Sequence, residues 1–425
     1  MGSVLLVSKH GDGVPLALRM AEEGSITKVY IQDPEARPSL KGYRNPSKVA
    51  SLTMPEQYDL ILFDMVGLGL RAEKLKDKGR LVIGGGTFND KLELDREYGQ
   101  RVVEKLLPEV KVPGGEQITT QKELLNRLSA AEGPKVIKPL GNEPPKYTLV
   151  SNDEGNRTLL GLVEALGDRL LPCVLQDKIT GVEVSTEGWF NGETFVRGMF
   201  NHTIEYKRFM EGDKGGQTGC MGCVVWMTSS RKDRIVQRVL LPLEPLLRKV
   251  GYLGPLDVNC ILTEDEIYFL EFTPRFGYDA IQALTELYKG KLFDMLWKLA
   301  SQDLRVAFWE DYSIAVRLSV PPYPNYDPEV KNLQGVQMLD PPEGARSHLM
   351  LSDVMLRDGK ETLAGVDGVL GCATARGKTI NEAQRRVYRT IRNCVIHPDV
   401  QWRRDIGHDV ERKIEQLKVW GWIDA

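Results

Sequence analysis

The sequence predicts an open parallel α/β sheet at its amino terminus, giving way to antiparallel strands with helices. Three observations carry this. Four short aliphatic runs, Val4-Leu5-Leu6-Val7, Val29-Tyr30-Ile31, Leu60-Ile61-Leu62-Phe63 and Leu81-Val82-Ile83, alternate with helical spacing and glycine turns, as buried parallel strands with crossover helices do. From about residue 134 the runs change to Val136-Ile137-Lys138, Val174-Leu175-Gln176, Val182-Glu183-Val184 and Phe195-Val196, which read as antiparallel strands. Leu256 to Leu262 and Ile267 to Phe272 then form a hairpin turned by Thr263-Glu264-Asp265-Glu266.

Taken in order, the first run ends at His10-Gly11-Asp12-Gly13, and Leu16, Leu18 and Ala21 give the helix behind it. That turn lacks the third spaced glycine of a dinucleotide fingerprint, so a nicotinamide oxidoreductase has little support. The fourth run meets Gly84-Gly85-Gly86; ligands of open parallel sheets sit at such strand ends. Residues 91–130 read as two helices separated by Val112-Pro113-Gly114-Gly115, and Arg234 to Val250 as one helix. Strands are expected around Ile314–Leu318 and Val369–Ala373, with a helix from Asn381 to about Arg392. Pro321-Pro322-Tyr323-Pro324 marks a loop, and no internal repeat occurs.

At 425 residues the chain has room for two or three domains. Its 56 basic and 59 acidic side chains leave a net charge of −3, which excludes a whole-protein electrostatic grip on nucleic acid or an anionic membrane. No apolar run approaches the roughly 18 residues of a membrane span. Six cysteines are too sparse for a disulfide framework and point to a reducing cytoplasm; Cys220 and Cys223 read as small buried thiols rather than half a zinc site. The start carries neither a signal peptide nor a myristoylation motif. Glycine is in excess, at 41 residues, so its local placement matters.

Four clusters carry chemistry. Lys138 ends a strand and can set a point charge on a phosphate; alone it reads as a surface lysine. Gln176 and Glu183 flank a turn at Thr180-Gly181, where an edge segment offers polar groups to a base and a ribose; alone they read as an ordinary polar hairpin. Lys207-Arg208 precedes Asp213-Lys214-Gly215-Gly216-Gln217-Thr218-Gly219-Cys220-Met221-Gly222, where backbone without Cβ can close on an anion or substrate. Asp257-Val258-Asn259 lies in the hairpin with Glu271-Phe272-Thr273-Pro274-Arg275-Phe276-Gly277. There Asn259 and Glu271 are expected to face each other, and a buried-face Glu271 needs either Mg²⁺ or a salt bridge to Arg275.

Together, in this order, these pieces resemble the ATP-grasp ligases, and within them phosphoribosylamine–glycine ligase, also called glycinamide ribonucleotide synthetase. Asp213–Gly222 is close to the family's Asp-x-Gly-Pro-Asn-Thr-Gly-Gly-Met-Gly. Glu271–Gly277 is similar to its Glu-Phe-Asn-x-Arg-Phe-Gly. Lys91-Leu92-Glu93 with Asp95-Arg96 resembles the first helix of its nucleotide domain. Gly371–Thr379 with Glu382-Ala383, and Arg403-Arg404-Asp405-Ile406-Gly407, resemble its carboxy-terminal segments. The resemblance implies an amino-terminal open parallel α/β domain over residues 1–112, ATP-grasp lobes over 113–310 with a nucleotide lid at about 134–185, and a small carboxy-terminal α+β domain over 311–425. It implies ATP and Mg²⁺ as cofactors, an acyl phosphate intermediate, small-molecule amine and amino-acid substrates, and a monomer or homodimer.

Carried over by position, Arg96, Lys138 and Lys146 would touch the phosphates. Gln176, Asp177 and Ile179 would line the adenine, and Glu183 the ribose. Glu271 would hold Mg²⁺ with Thr273, Asp257 and Asn259. Lys207, Asp213 and Arg275 would serve catalysis, and Gln217, Thr218 and Gly219 would face substrate. The chain departs from the family at four places. The lid Lys138–Thr148 carries Pro145 and Tyr147 in place of hinge glycines, which predicts a stiffer lid. Thr273 replaces the metal-binding Asn, Gln217 replaces the substrate-loop Asn, and His10–Gly13 replaces the Gly-Gly-Arg-Glu-His turn. The alternative implied by these changes is a non-catalytic nucleotide-binding relative.

Overall fold

The structure is a computed structural model describing residues 2–52, 57–140, 147–151, 155–228, 231–302, 306–324, 334–338, 341, 344–394 and 397–424. The amino-terminal sheet has five parallel strands in the order Ser47–Lys48, Ile26–Ile31, Ser3–Ser8, Leu60–Phe63 and Val82–Ile83. Chain order reverses between Ser3–Ser8 and Leu60–Phe63, so their carboxyl ends make the crevice of an open α/β sheet. His10–Gly13 and Asp64 line it, and the Gly13 N–H donates to Asp64 Oδ2 at 2.7 Å.

Gly84, Gly85 and Gly86 all have positive φ. A Cβ on Gly84 would lie 2.4 Å from the Phe63 carbonyl oxygen, and the Gly84 N–H donates 2.8 Å to the Leu253 carbonyl. The run therefore turns tightly against its own sheet at Phe63, where a side chain on Gly84 would clash, while its backbone reaches the next sheet at Leu253.

Residues 87–130 differ from the expected two helices. Helices Thr87–Leu94 and Arg96–Leu106 meet at Asp95, whose extended backbone breaks the first and whose carboxylate caps the second by accepting from the Tyr98 N–H. Short strands Val110–Lys111 and Gly115–Ile118 follow, and then helix Gln121–Ala130. The expected helix from Arg234 is likewise three pieces, Arg234–Val239, Leu241–Leu243 and Glu244–Lys249, because Pro242 and Pro245 withhold amide donors.

A four-stranded antiparallel sheet, ordered Gly115–Ile118, Cys173–Asp177, Lys135–Pro139, Leu149–Val150, packs Ile137, Leu175 and Cys173 against Leu124 and Leu128 of helix Gln121–Ala130, and Leu159 and Val163 of helix Arg157–Leu166. The segment expected at a sheet edge, around Gln176, is thus flanked on both sides. Gln176 and Glu183 do not form one hairpin, because Glu183 starts strand Val182–Asn191 of a different, nine-stranded sheet. Residues 178–181 cross between the two sheets.

That larger sheet runs Leu349–Leu351, Val369–Gly377, Tyr312–Ser319, Gly222–Thr228, Phe195–Glu205, Val182–Asn191, Leu253–Leu262, Ile267–Thr273 and Val110–Lys111. It passes through residue 310 without a break: Gly222 pairs with Val316 and Tyr312 with Trp226. One face of its central strands is apolar, with Val184, Val258, Cys260 and Phe272 in one core with Ile235, Val236 and Leu247. The other face is polar. Ser185, Asn259 and Glu271 form one cross-strand row, and Asn201, Glu187, Asp257 and Thr273 the next. The two-residue period of a strand puts them there, at the floor of the cleft between the sheets. Cys220 and Cys223 are buried thiols, as expected. No described helix is long and apolar enough to cross a membrane.

The loop after Glu271 is pinned by a two-bond pair: Arg317 donates to Asp279 at 3.0 and 3.1 Å, with both side chains largely buried. Removing one partner leaves an uncompensated charge, which destabilises by about 3–5 kcal/mol. Arg317→Ala is expected to lower the urea-unfolding free energy by that amount; a loss under about 1 kcal/mol would show that solvent, not Arg317, satisfies Asp279.

Candidate active site

Three strands converge on one ammonium. Lys207 Nζ lies 3.0 Å from Glu183, 3.2 Å from Glu271 and 3.6 Å from Glu205. Glu205 ends strand Phe195–Glu205, Glu183 starts Val182–Asn191, and Glu271 sits in Ile267–Thr273 opposite Asn259, as the hairpin spacing predicts. The intervening strand joins through Asn259, whose Nδ2 donates to Glu183 at 3.3 Å. Between Asn259 and Cys260 the register slips by one residue against Leu270, and such a bulge re-aims the side chain that follows it.

The electrostatics follow from the packing. Burial alone would lower the Lys207 pKa, but Glu183, Glu271 and Glu205 outweigh it and hold the ammonium well above its ordinary value. Lys207, first among the causes, holds Glu271 below the usual carboxylate range. Glu205 is raised by burial, partly offset by Lys207. Burial and the neighbouring Arg96 bring Lys138 down to about 8, against the pull of Glu271 and Glu183. Burial also lowers Arg96. Both cations therefore bear on Glu271, and Lys138 on Glu183 as well.

Several expectations are corrected. Glu271 is not on a buried face: its side chain is 58% exposed and opens onto the cleft. It pairs with Lys207, and not with Arg275, which instead reaches Glu93 at 3.3 Å. Gln176 donates to the Pro113 carbonyl at 3.0 Å, and Asp177 pairs with Lys135. Ile179 lies in the crossing between the sheets. Asp213 is drawn away from Lys207. It stands at a hairpin of Arg208–Met210 with Lys214–Gln217 and binds Arg403 at 2.9 Å, while the Gly212 N–H binds Asp405. Thr218 ties the base of the hairpin back, its N–H and hydroxyl both donating to the Lys207 carbonyl at 2.7 and 2.9 Å. Gln217 sits in the hairpin opposite Arg208 and Gly219 is exposed beside it. Lys146 and most of the lid, residues 141–146, lie outside the described residues.

Two functional candidates are not among those the sequence patterns single out. Glu93 is 182 residues from its partner Arg275, beyond any local pattern. Glu205 has a local signal: two residues before Lys207 along an extended chain, it shares that side chain's face.

The metal reading rests on the donors. Among the described residues no three His, Cys, Asp or Glu side chains form a cage. Mg²⁺ ordinarily takes one or two carboxylates and completes its shell with phosphate oxygens and water. Glu271 is open to the cleft, and the buried Oδ1 atoms of Asn259 and Asp257 have no hydrogen-bond partner. Thr273 stands opposite Asp257. These residues fit a nucleotide-borne ion and not a free-standing site.

The family described as phosphoribosylglycinamide synthetase, ATP-grasp (A) domain, matches residues 95–280. Curated relatives align over nearly the whole chain. Phosphoribosylamine–glycine ligase of Helicobacter pylori is 26% identical over 96% of this chain and 97% of its own length. That of Clostridium acetobutylicum is 22% identical over 95% and 99%. The chain is an ATP-grasp ligase resembling phosphoribosylamine–glycine ligase. Solved structures agree in fold: the Thermotoga maritima phosphoribosylamine–glycine ligase superposes with a TM-score of 0.70 at 20% identity, covering 95% of this chain and 100% of that one. Biotin carboxylase of Campylobacter jejuni gives 0.62 at 11% identity, covering 98% and 96%. ATP-grasp ligases use ATP with Mg²⁺, and the cleft of this ATP-grasp ligase lies inside the matched residues.

Lys207→Met removes the cation that holds Glu271 down and that partly offsets the burial of Glu205, so both carboxyls shift upward in the folded state. A raised carboxylate adds nothing unfavourable below its unfolded pKa of about 4.3 and destabilises as pH climbs through the raised value. The stability deficit of Lys207→Met is expected to widen from pH 5 to pH 8, by about 1.4 kcal/mol for each tenfold loss of carboxyl acidity in the folded state. Chemical denaturation at both pH values checks this; an equal deficit at the two would contradict the cluster.

Proposed function

We propose that this ATP-dependent ligase joins a carboxylate to an amine through an acyl phosphate, with glycine and phosphoribosylamine, the substrates named by its relatives, as the first pair to test. The observation that carries the reading is the Lys207 cluster, with Lys138 and Arg96 also bearing on its Glu271. In the reaction the substrate carboxylate attacks the terminal phosphoryl group of ATP, the bond to the bridging oxygen breaks and ADP leaves, giving the acyl phosphate. The amine nitrogen then attacks the acyl carbon, phosphate leaves, and one proton is lost to solvent. Lys138 and Arg96 would stabilise the charge spreading over the phosphates, and Glu183 would take the ribose hydroxyls. Mg²⁺ held by Glu271, with Asn259, Asp257 or Thr273 behind it, would neutralise phosphate charge. Lys207 and Arg275, both placed beside Glu271, would orient the carboxylate. Gln217 and Gly219 would face it from the glycine-rich hairpin, which Asp213 and Thr218 anchor at its two ends. The reduced thiols suit a cytoplasmic enzyme.

Turnover is favoured over mere nucleotide binding, because Lys138, Arg96, Lys207 and Glu271, charged groups suited to a phosphoryl transfer, bear on one another among the described residues. A second reading concerns only the amine. Asp12 of the amino-terminal crevice bears on Asp64, Arg275, Tyr278 and Asp367. Burial and Asp12 raise Asp64 to about 7. Arg275, on which Asp12 bears, and Arg317 are already paired with Glu93 and Asp279. Such a crevice suits an amine without a phosphate.

The test is amine-dependent release of ADP and phosphate over a panel of amino acids, with phosphoribosylamine and with unphosphorylated primary amines. Turnover with no pair by a folded protein rejects the ligase reading; preference for phosphoribosylamine rejects the second. In the productive pair, Lys138→Ala and Glu271→Ala are each expected to slow the reaction by roughly 10²–10³. The free enzyme's ATP affinity should fall as pH rises through about 8, where Lys138 loses its proton. Lys138→Arg should abolish that pH dependence, and a slope that persists in this variant would assign it elsewhere.

A further inference from the structure

Away from the cleft, a cavity of about 440 Å³ opens between helix Ile380–Asn393, strand Val369–Gly377 and the segment around His348. The helix contributes Arg386, Arg389, Thr390 and Asn393, spaced i, i+3, i+4 and i+7, which is one continuous helical face. Its apolar face, with Ile380, Ala383, Val387 and Ile391, is buried against the sheet. Opposite the polar stripe stand Arg376 and His348.

The partners of these groups show what is free. Arg376 pairs with Asp311 and stacks on Trp309. Arg386 pairs with Glu382 at 2.6 Å and donates to the Arg376 carbonyl. His348 Nδ1 meets Glu286 at 3.0 Å, and that hydrogen bond, foremost, raises the imidazole pKa. Glu286, the one acid among the described residues lining the cavity, is occupied by His348 and by the Thr374 hydroxyl. Arg389 has no described partner and is exposed. An unpaired guanidinium is therefore flanked by two further arginines, an imidazole, a hydroxyl and an amide. Guanidinium forks match phosphate oxygens two at a time, and the volume falls in the range of small-molecule sites.

We propose that this cavity is a second ligand site, taking the phosphate group of a small phosphorylated metabolite. It shares no residue with the ATP cleft, and the proposal stands whether or not the ligase reading holds. It also has a route to the cleft. Glu286 lies on helix Ala280–Leu287, which begins directly after Asp279, the partner of Arg317. A ligand drawing on His348 and Glu286 would act on the same helix that follows Arg275.

The experiment is isothermal titration of the full-length protein with pyrophosphate, ribose 5-phosphate and AMP, in a Lys138→Ala background that weakens binding at the cleft. One binding event is expected to survive in that background. Arg389→Ala should weaken it about tenfold or more, as loss of a charged hydrogen bond does. Arg385→Ala, on the same helix but outside the cavity, should leave it unchanged. Because Arg389 is exposed and unpaired, its removal is not expected to disturb folding, and a thermal melt checks this. Tighter binding of ribose 5-phosphate and AMP than of pyrophosphate identifies a phosphorylated metabolite; preference for pyrophosphate alone would overturn the metabolite assignment. Absence of binding, or equal weakening by Arg385→Ala and Arg389→Ala, would overturn the site itself.

Discussion

The cleft depends on one ammonium among three carboxylates. Glu183, Glu205 and Glu271 come from three strands and would repel one another if left alone. Lys207 reaches all three, so the strands can bring their acids to one place only because this cation is there. The arrangement is sustainable because the cleft is open on one side. Glu271 and Glu183 keep 58% and 43% of their side chains exposed, which spares them full desolvation, while Glu205, deeper and 15% exposed, bears most of it. A site of this kind holds negative charge ready for a cation and holds a cation ready for a carboxylate. That is the pairing a carboxylate-activating enzyme needs.

The polar floor beneath the cluster follows from the strand period. In Asp257-Val258-Asn259-Cys260 every second residue turns to the cleft, and Val258 and Cys260 turn to the helices. Such alternation is legible in a sequence, which is why the Asn259–Glu271 pairing can be read there. Gln176 and Glu183 are the contrary case. Seven residues apart, they suggest a hairpin, yet they belong to two sheets, because a chain crossing between lobes leaves no signature that separates it from a turn. Glu93 and Arg275 are invisible as a pair for the simpler reason that sequence distance hides contact. The long helix expected from Arg234 fails differently: apolar spacing continues through Pro242 and Pro245, and hydrogen-bond loss at proline overrides it.

The glycine-rich hairpin shows how a local motif acquires a second duty. Its glycines suggest backbone closing on a ligand. Its tip is nevertheless tied to the carboxy-terminal segment, through Arg403 to Asp213 and through Asp405 to the Gly212 N–H. Arg403 is itself buried and bonded twice to Asp405, so the anchor is rigid and the Thr218 end is fixed to Lys207. The hairpin is held at both ends, and Arg208 steadies its middle by donating to the Gly215 carbonyl and pairing across the ladder with Gln217.

The same logic bears on how the ends of the chain act on the chemistry. The amino-terminal sheet reaches the cleft through Gly84 at Leu253 and through Asn89, which donates to the Pro274 carbonyl at 2.7 Å. The carboxy-terminal strands reach it through Arg317 at Asp279. Asn89 at Pro274 and Arg317 at Asp279 therefore grip one short segment, residues 274–279, which carries Arg275. A substrate that shifts either end must move that segment, and Arg275 is balanced there between Glu93 and the charge of Asp12. On the proposed reading, selection of the amine in the amino-terminal crevice and activation of the carboxylate at Glu271 would be linked through the position of this one guanidinium, on which Glu93, Asp12 and Glu271 all bear.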